Sequence, residues 1–340
     1  MTVTNWNEKN VVSIAFTDEG MKLAKQLMEA VGGQAARSGR PDSLKEWTKK
    51  HFTQADALVI VGAVGIAVRA IAPHIQDKTE DPAVIVVDEK GENVIPILSG
   101  HLGGANDLAK ELAQVCGGRC VITTATDLHG VFAVDEWAKH QDCIILEKDR
   151  IKDVSGGLLA GATKTVRSRW PITGDLPEGL IMTKGEDADI VMDIRPTGSR
   201  ALHLVPKIVY LGIGCRRGTK QDTLESFYKN LMEELKIPES AIAGVATIDI
   251  KADEIGMVRF CQAHGWDLAA YSAVELEQVK GDFHGSSFVE EVTGVDNVCE
   301  RSAVLAAGGG EVIHGKTHGS GVTMALAITD YHPTWEWYDE

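Results

Sequence analysis

The chain has 340 residues, is 44% hydrophobic and 24% charged, and sets 34 basic against 49 acidic residues, a formal net charge of −15. That length predicts two or three domains, each large enough for its own core, and the composition is that of an ordinary globular protein. The negative balance argues against nucleic acid and anionic membranes as partners, but leaves an acidic small molecule open, because local arginine clusters decide that.

The six cysteines, Cys116, Cys120, Cys143, Cys215, Cys261 and Cys299, form no C-x-x-C pair and read as reduced thiols. The N-terminal residues show no basic segment leading into an apolar core, and no apolar run is long enough to span a bilayer. A cytoplasmic location is therefore expected.

Val11 to Phe16 is a continuous apolar run, and Thr17-Asp18-Glu19 opens a helix predicted to reach about Val31, where Gly32-Gly33 ends it. Ala57 to Val61 reads as a buried strand. Gly62 and Gly65 follow it, and then a helix carrying Arg69 and stopped before Pro73. Val84–Val87 and Val94–Leu98 read as two strands joined around Lys90-Gly91, a hairpin-like signal. Leu98 leads into Ser99-Gly100-His101-Leu102-Gly103-Gly104-Ala105-Asn106-Asp107, and an apolar-periodic run from Leu108 to Val115 leads out to Gly117-Gly118. This is strand, glycine loop, helix, with Asn106 or Asp107 as the expected N-cap. Its unpaired N–H groups and positive dipole end would favour an anion. Cys120–Thr123 reads as a short strand.

Between Trp137 and Lys207 the texture changes. Helical stretches at Asp135–His140 and Ile151–Leu159 precede short strands near Leu180–Met182, Ile190–Ile194 and Leu202–Leu204, punctuated by Gly and Pro. The basic run Lys164, Arg167, Arg169 reads as a solvated face. Ile208–Leu211 opens a third unit. Thr219-Lys-Gln-Asp222 looks like a capping box for a helix to about Leu235. Val245–Ile250, a helix over 251–263, Leu268–Tyr271, a helix start at Ser287, a helix over Val298–Ala307, and strands Val312–Ile313 and Val322–Ile328 complete it. The expected fold is α/β. It has three-layer N-terminal (1–138) and C-terminal (208–340) domains joined by a small α/β module (139–207).

Several side chains invite chemistry. Arg216-Arg217 sits in a glycine-bounded turn, and arginine is suited to bidentate capture of carboxylates. Cys215 beside them could have a lowered pKa, but no base is near in sequence, and a small packed residue is the preferred reading. Glu300, at a helix start, could simply compensate a dipole. His129 and His284 lie in glycine-flanked loops and read as surface residues. Gly310 to Thr317 matches the Walker A pattern letter for letter, but its Val312-Ile313 reads as strand and no helix follows to hold phosphate. His314 and His318 are four apart, a spacing that means little on a glycine-rich loop without a third ligand.

Ser99-Gly-His-Leu-Gly-Gly-Ala-Asn106 resembles the signature of the cobalt-precorrin-5A hydrolases of anaerobic cobalamin biosynthesis, the CbiG family. Gly62–Arg69, Leu211–Thr219 and Thr293–Glu300 agree with it, so that the resemblance covers most of the chain from about Ala57 to Ile328, only loosely between Lys139 and Lys207. The family's substrate is a cobalt-bearing, ring-contracted tetrapyrrole with many carboxylates and a δ-lactone. The resemblance implies that water opens the lactone and that carbon–carbon cleavage releases acetaldehyde, giving cobalt-precorrin-5B. It further implies that Arg69, Arg216, Arg217 and Lys316 clamp carboxylates. Gly62, Gly65, Ser99, Gly100, Gly103, Gly104, Asn106, Gly212, Gly214 and Cys215 would contact substrate, the three glycine junctions together serving one ligand. His101 or Glu300 would be the general base. Cobalt arrives in the substrate, so neither cofactor nor protein metal site is expected. A cleft between the N- and C-terminal units is the expected location. A homodimer and transient contacts with neighbouring pathway enzymes are left open. A corrinoid-binding protein without chemistry and a P-loop nucleotide enzyme are the alternatives.

Overall fold

In the computed structural model, which describes residues 5–76, 80–100, 103–124, 130–197 and 200–336, the chain divides into two units. The first is Met1–His140 with Leu158–Ala160, and the second is Gln141–Gly157 with Gly161–Glu340. The expected small module and C-terminal domain are thus two sheets within the second unit.

The first unit is built on a six-stranded sheet of order β2-β1-β3-β4-β5-β6. Its strands are β1 (Val11–Ala15), β2 (Gln34–Arg37), β3 (Ala57–Val61), β4 (Ala83–Val87), β5 (Asn93–Leu98) and β6 (Arg119–Cys120). Strands β1, β3 and β4 are parallel neighbours, buried along their whole length, as their unbroken Val/Ile/Ala runs require. Alternate residues feed two cores. Val11, Val59 and Ile85 pack with α1 (Asp18–Ala30) and α4 (Ala105–Cys116) through Leu27, Leu108 and Leu112. Val12, Ile14, Leu58 and Ile60 pack on the other face with Trp47 of α2 (Leu44–His51) and Ala67 and Ile71 of α3 (Val64–Ile71). The unit is therefore a three-layer sandwich.

Three local outcomes differ from expectation. Strand β2 and helix α2 lie in a stretch that gave no clear periodicity. Yet α2 starts with a full capping box, Ser43 and Glu46 bonding each other's backbone N–H. Helix α4 is capped by Gly104, in the left-handed region at φ 77°, and not by Asn106 or Asp107. As the hairpin reading expects, β5 pairs antiparallel with β4, Val87 facing Val94 and Val84 facing Leu98. The loop after β5 therefore leaves the sheet at the end opposite the loop after β3. Gly62 and Ser99 are five register steps apart along the strands, about 16 Å at the usual rise. The two glycine junctions of this sheet therefore stand at opposite ends of it.

The second unit carries two five-stranded sheets. One has the order β7-β11-β10-β8-β9, from β7 (Cys143–Ile145), β8 (Lys164–Ser168), β9 (Leu180–Met182), β10 (Ile190–Met192) and β11 (Leu202–Pro206). Strands β7 and β8 were not foreseen. The basic run lies on and just after β8, where Lys164 pairs with Asp189 at 3.5 Å and Arg169 with Asp193 at 3.9 Å. The C-terminal segment returns to this sheet. Tyr331 Oη donates to the Gln141 carbonyl at 2.6 Å and packs edge-on against Trp170, while Thr173 N–H donates to the Pro333 carbonyl.

The other sheet has the order β14-β13-β12-β16-β15, from β12 (Val209–Cys215), β13 (Ile242–Ile248), β14 (Leu268–Tyr271), β15 (Glu311–Gly319) and β16 (Val322–Ile328). One face packs on Leu224, Tyr228 and Leu231 of helix Gln221–Leu235 and on Met257 and Phe260 of helix Ile255–His264. The other packs on helix Cys299–Ala306. Gly212 of β12 makes that packing possible, since a Cβ there would lie 1.8 Å from the Cys299 carbonyl oxygen. Helix Gln221–Leu235 is preceded by Lys220 with no side-chain cap, because the Thr219 hydroxyl donates to the Arg216 carbonyl instead. Helix Ala273–Gln278, with its Ser272/Glu275 capping box, was not foreseen.

Between the first two helices of this sheet's apolar face lies a charged cluster. His264 Nδ1 meets Glu239 at 2.6 Å and Nε2 meets Glu225 at 2.9 Å, with the ring stacked on Trp266 at 4.1 Å. Burial lowers the imidazole's pKa, but the two carboxylates outweigh it and the net shift is upward. A raised folded-state pKa stabilises fully below the usual value of about 6.5 and is lost as pH rises through the folded value. Thermal melts should accordingly show wild type losing stability from mildly acidic to alkaline pH relative to His264→Gln. Parallel melting curves for the two proteins would contradict this account.

Candidate functional site

Strand β12 ends in Gly214-Cys215, and the chain turns through Arg216-Arg217-Gly218 into the next helix. Arg216 N–H donates to the Gly321 carbonyl at 2.9 Å, tying this turn to the tight turn between β15 and β16. The Arg216 side chain lies across Gly321, whose φ of +78° and lack of Cβ suit that approach. Both arginines are exposed, and neither guanidinium has an ion pair or hydrogen bond among the described residues.

Beside this turn opens a pocket of about 830 Å³. Ile248, Val289, Val292, Val298 and Val322 give it apolar walls, and Arg216, Arg217, Lys251 and Lys316 add four cationic groups. Lys251 is paired with Glu254 at 3.0 Å. Glu254 also accepts the Gly218 N–H at 2.9 Å, a bond that holds its carboxyl below the usual range. Cys215 and Cys299 line the pocket as neutral thiols. Burial raises both, Cys299 to about 11, so the expected option of an activated Cys215 thiolate is removed.

Behind Lys316 sits Glu300, in the first turn of helix Cys299–Ala306 and only 2% exposed. It is no surface acid compensating a dipole. Oε1 accepts Lys316 N–H at 2.9 Å and faces His284 Nδ1 at 3.1 Å. Oε2 accepts His284 N–H at 2.9 Å and the Asn297 side-chain amide. Burial alone would raise this carboxyl's pKa, but the donors from Lys316 and His284 reverse it and the net shift is downward. Asn297 Nδ2 also donates to the His284 carbonyl at 3.0 Å, and Lys316 Nζ reaches the same oxygen at 3.4 Å. His284, read from sequence as an ordinary surface residue, is thus held at four points. Only its glycine-flanked setting in the chain could have hinted at this.

The structure brings Gly214, Cys215, Arg216, Arg217 and Lys316 together, with Glu300 directly behind Lys316. Gly212 is not among the residues that line the pocket, serving helix–strand packing instead. The remaining expected residues lie in the first unit. Arg69 is exposed on α3, four residues after Gly65, and Gly62 gives room to the Phe16 ring. His101 lies outside the described residues, as does His129. Ser99, at φ 57°, donates through Oγ to the Asp81 carbonyl, and a Cβ on Gly103 would collide with Ser99. A Cβ on Gly100 would meet the buried Asn106 side chain, and one on Gly104 would meet Lys139 and Trp6. The Walker-like residues form β15, antiparallel to β16, with Lys316 inside the strand and no helix after it. The P-loop alternative is thereby excluded. Among the described residues, one set of side chains has metal-ligand spacing, Asp107, Glu136 and His140 in the first unit, and Asp107 is already paired with Lys139 and Lys110.

An α/β protein with a cation-edged, apolar-walled pocket is suited to a large anion with an apolar body. Comparison with known proteins narrows this. The family model "Cobalamin synthesis G N-terminal" matches residues 46–127, and "Cobalamin synthesis G C-terminus" matches residues 209–327. The cobalt-precorrin-5A hydrolase of Priestia megaterium is 31% identical over 301 residues, 82% of this chain and 80% of that protein. The enzyme of the same name from Salmonella typhimurium is 32% identical over 296 residues, 82% of this chain and 84% of that protein. A Sulfolobus solfataricus crystal structure, put forward as a cobalamin biosynthesis protein G homologue, aligns over 96% of this chain and 98% of its own, with 20% identity and a TM-score of 0.42. The chain belongs to the CbiG family and is an enzyme of cobalamin biosynthesis. Among the described residues no helix is long and apolar enough to cross a membrane.

Glu300→Ala should lower unfolding free energy by at least about 2 kcal/mol in denaturant titrations, the order of cost for buried donors left without an acceptor. Because the carboxyl's folded pKa is depressed, wild type gains this stability above the usual carboxyl range and loses it as pH falls. The variant should lack that acid-side decline. A stability unchanged at neutral pH would count against the network described.

Proposed function

We propose that the protein hydrolyses cobalt-precorrin-5A, opening its δ-lactone and releasing acetaldehyde to give cobalt-precorrin-5B. The observation that carries this reading is the pocket of the second unit, where apolar walls stand beside four cationic groups. A macrocycle offers a broad apolar face, and its carboxylates need fixed cations around that face. The relatives named above support the particular substrate, at 31% and 32% identity over most of the chain.

In this reading Arg216, Arg217 and Lys316 hold peripheral carboxylates, while Lys251 is paired with Glu254. Arginine serves bidentate capture, whereas Lys316 acts as a point charge whose place is set by its backbone bond to Glu300. Glu300 itself has every acceptor position engaged and a depressed pKa, so its role is to position Lys316 and His284 rather than to take a proton. Water is the only co-reactant, and cobalt enters with the substrate. The six free cysteines suit a reducing cytoplasm, where we place the reaction.

Purified protein incubated with cobalt-precorrin-5A should give the 5B mass and stoichiometric acetaldehyde without nucleotide or added metal. Binding without acetaldehyde would indicate a corrinoid carrier, and a strict need for ATP would refute the reading.

Arg216→Ala with Arg217→Ala should weaken substrate binding by at least ~1.5 kcal/mol, the low end for charge-assisted hydrogen bonds. Thermal stability should stay nearly constant, because both side chains are exposed and unpaired among the described residues. Unchanged affinity with a large fall in melting temperature would make them structural.

A further inference from the structure

His284 presents a combination that a casual surface histidine does not need. Its side chain is 79% exposed, while the carboxylate against its ring, Glu300, is 2% exposed. Burying a carboxylate costs several kcal/mol unless donors compensate it. Here two of the four donors come from His284 itself, its N–H at 2.9 Å and its Nδ1 at 3.1 Å. The His284 carbonyl is fixed in addition by Asn297 and by Lys316, which lines the pocket. An exposed ring is therefore immobilised from the protein interior; it is not itself among the residues that line the pocket, and Lys316, which is, joins it to that space through the His284 carbonyl.

The tautomer follows from the same contacts. The ionised Glu300 carboxylate only accepts, so Nδ1 carries a proton, and in the neutral imidazole Nε2 is then the nitrogen with the lone pair. Nε2 makes no hydrogen bond among the described residues and belongs to the exposed part of the ring. A carboxylate that fixes the tautomer and stabilises the developing imidazolium is the arrangement by which enzymes make histidine a base.

We infer that His284 is the proton acceptor of this site and that Glu300 is the positioning residue behind it. The inference rests on the lactone-opening reading. Water bonds to the lactone carbonyl carbon through its oxygen as Nε2 takes one of its protons. The tetrahedral centre then expels the ring oxygen, the ester C–O bond breaks, and the leaving alkoxide takes the proton back from Nε2. One water is consumed, one acid and one alcohol are formed, and the imidazole returns to its starting state. Lys316, whose position the same carboxylate fixes, holds a neighbouring substrate carboxylate.

The test compares wild type, His284→Ala, His284→Asn, Glu300→Gln and His101→Ala on cobalt-precorrin-5A. Acetaldehyde release is followed, with affinity measured separately by absorbance titration. Both His284 variants should lose ~10²–10⁴-fold in kcat, the usual worth of a general base. They should bind substrate within about twofold of wild type; His284→Asn, whose amide can still donate to Glu300, should melt close to wild type, and His284→Ala lower. Added imidazole should restore at least about tenfold to His284→Ala and nothing to wild type. Turnover of His284→Ala within about threefold of wild type overturns the inference. So does a loss of affinity that accounts for the loss of rate, or a loss of kcat confined to His101→Ala. If wild type releases no acetaldehyde, the reading of the reaction has failed. His284 is then judged by diethyl pyrocarbonate labelling mapped by mass spectrometry. Its ring should react faster than that of exposed His318, and at least about threefold more slowly in Glu300→Gln. Equal rates in both proteins overturn the inference without reference to substrate.

Discussion

The second unit's pocket depends on one buried carboxylate. Glu300 lies at the start of a helix that packs so closely on β12 that only glycine fits at position 212. From there its four acceptor positions fix a loop through His284, a strand through Lys316 and the turn before its own helix through Asn297. A charge so placed is unfavourable unless every partner is present, so the three segments are held together or not at all. Site geometry and local stability are therefore the same interaction. The pocket can keep Arg216 and Arg217 unpaired and exposed because its architecture does not rest on them.

The pocket's electrostatics divide into spent and unspent charge. Lys251 and Glu254 neutralise each other beside the Gly218 turn, and Glu254 holds that turn by accepting the Gly218 N–H. Arg216, Arg217 and the Lys316 ammonium form no ion pair among the described residues and remain available to a ligand. A protein with net charge −15 thus keeps a cationic edge on one apolar pocket. The overall balance decides little about recognition at a site, since nearby unpaired charges dominate over distant screened ones.

Local chemistry that repeats in sequence was legible. The buried runs of β1, β3 and β4, Thr17 as the cap of α1, and glycines closing helices all follow from rules that act over a few residues. Capping boxes at Ser43 and Ser272 were equally local but began short helices with little apolar periodicity, so the segments passed unnoticed. Strand β15 was seen only at Val312-Ile313, because the rest of it, His314 to Gly319, has no strand propensity of its own and is held by pairing with β16.

Sequence alone determined the α/β class, the resemblance to the CbiG family, and the cluster of Arg216, Arg217 and Lys316 as candidate clamps, because these depend on residue type and short-range order. Tertiary structure decided which of the glycine motifs share a place. The reversal of β5 sends two of them to opposite ends of one sheet, and strand direction is a property of pairing that no single segment contains. It also decided what the two weakest-looking candidates are. Glu300 and His284 are sixteen residues apart and neither sits in a pattern that signals the other. Only the fold, by burying one and pinning the other to it, turns a helix-start acid and a loop histidine into a coupled pair.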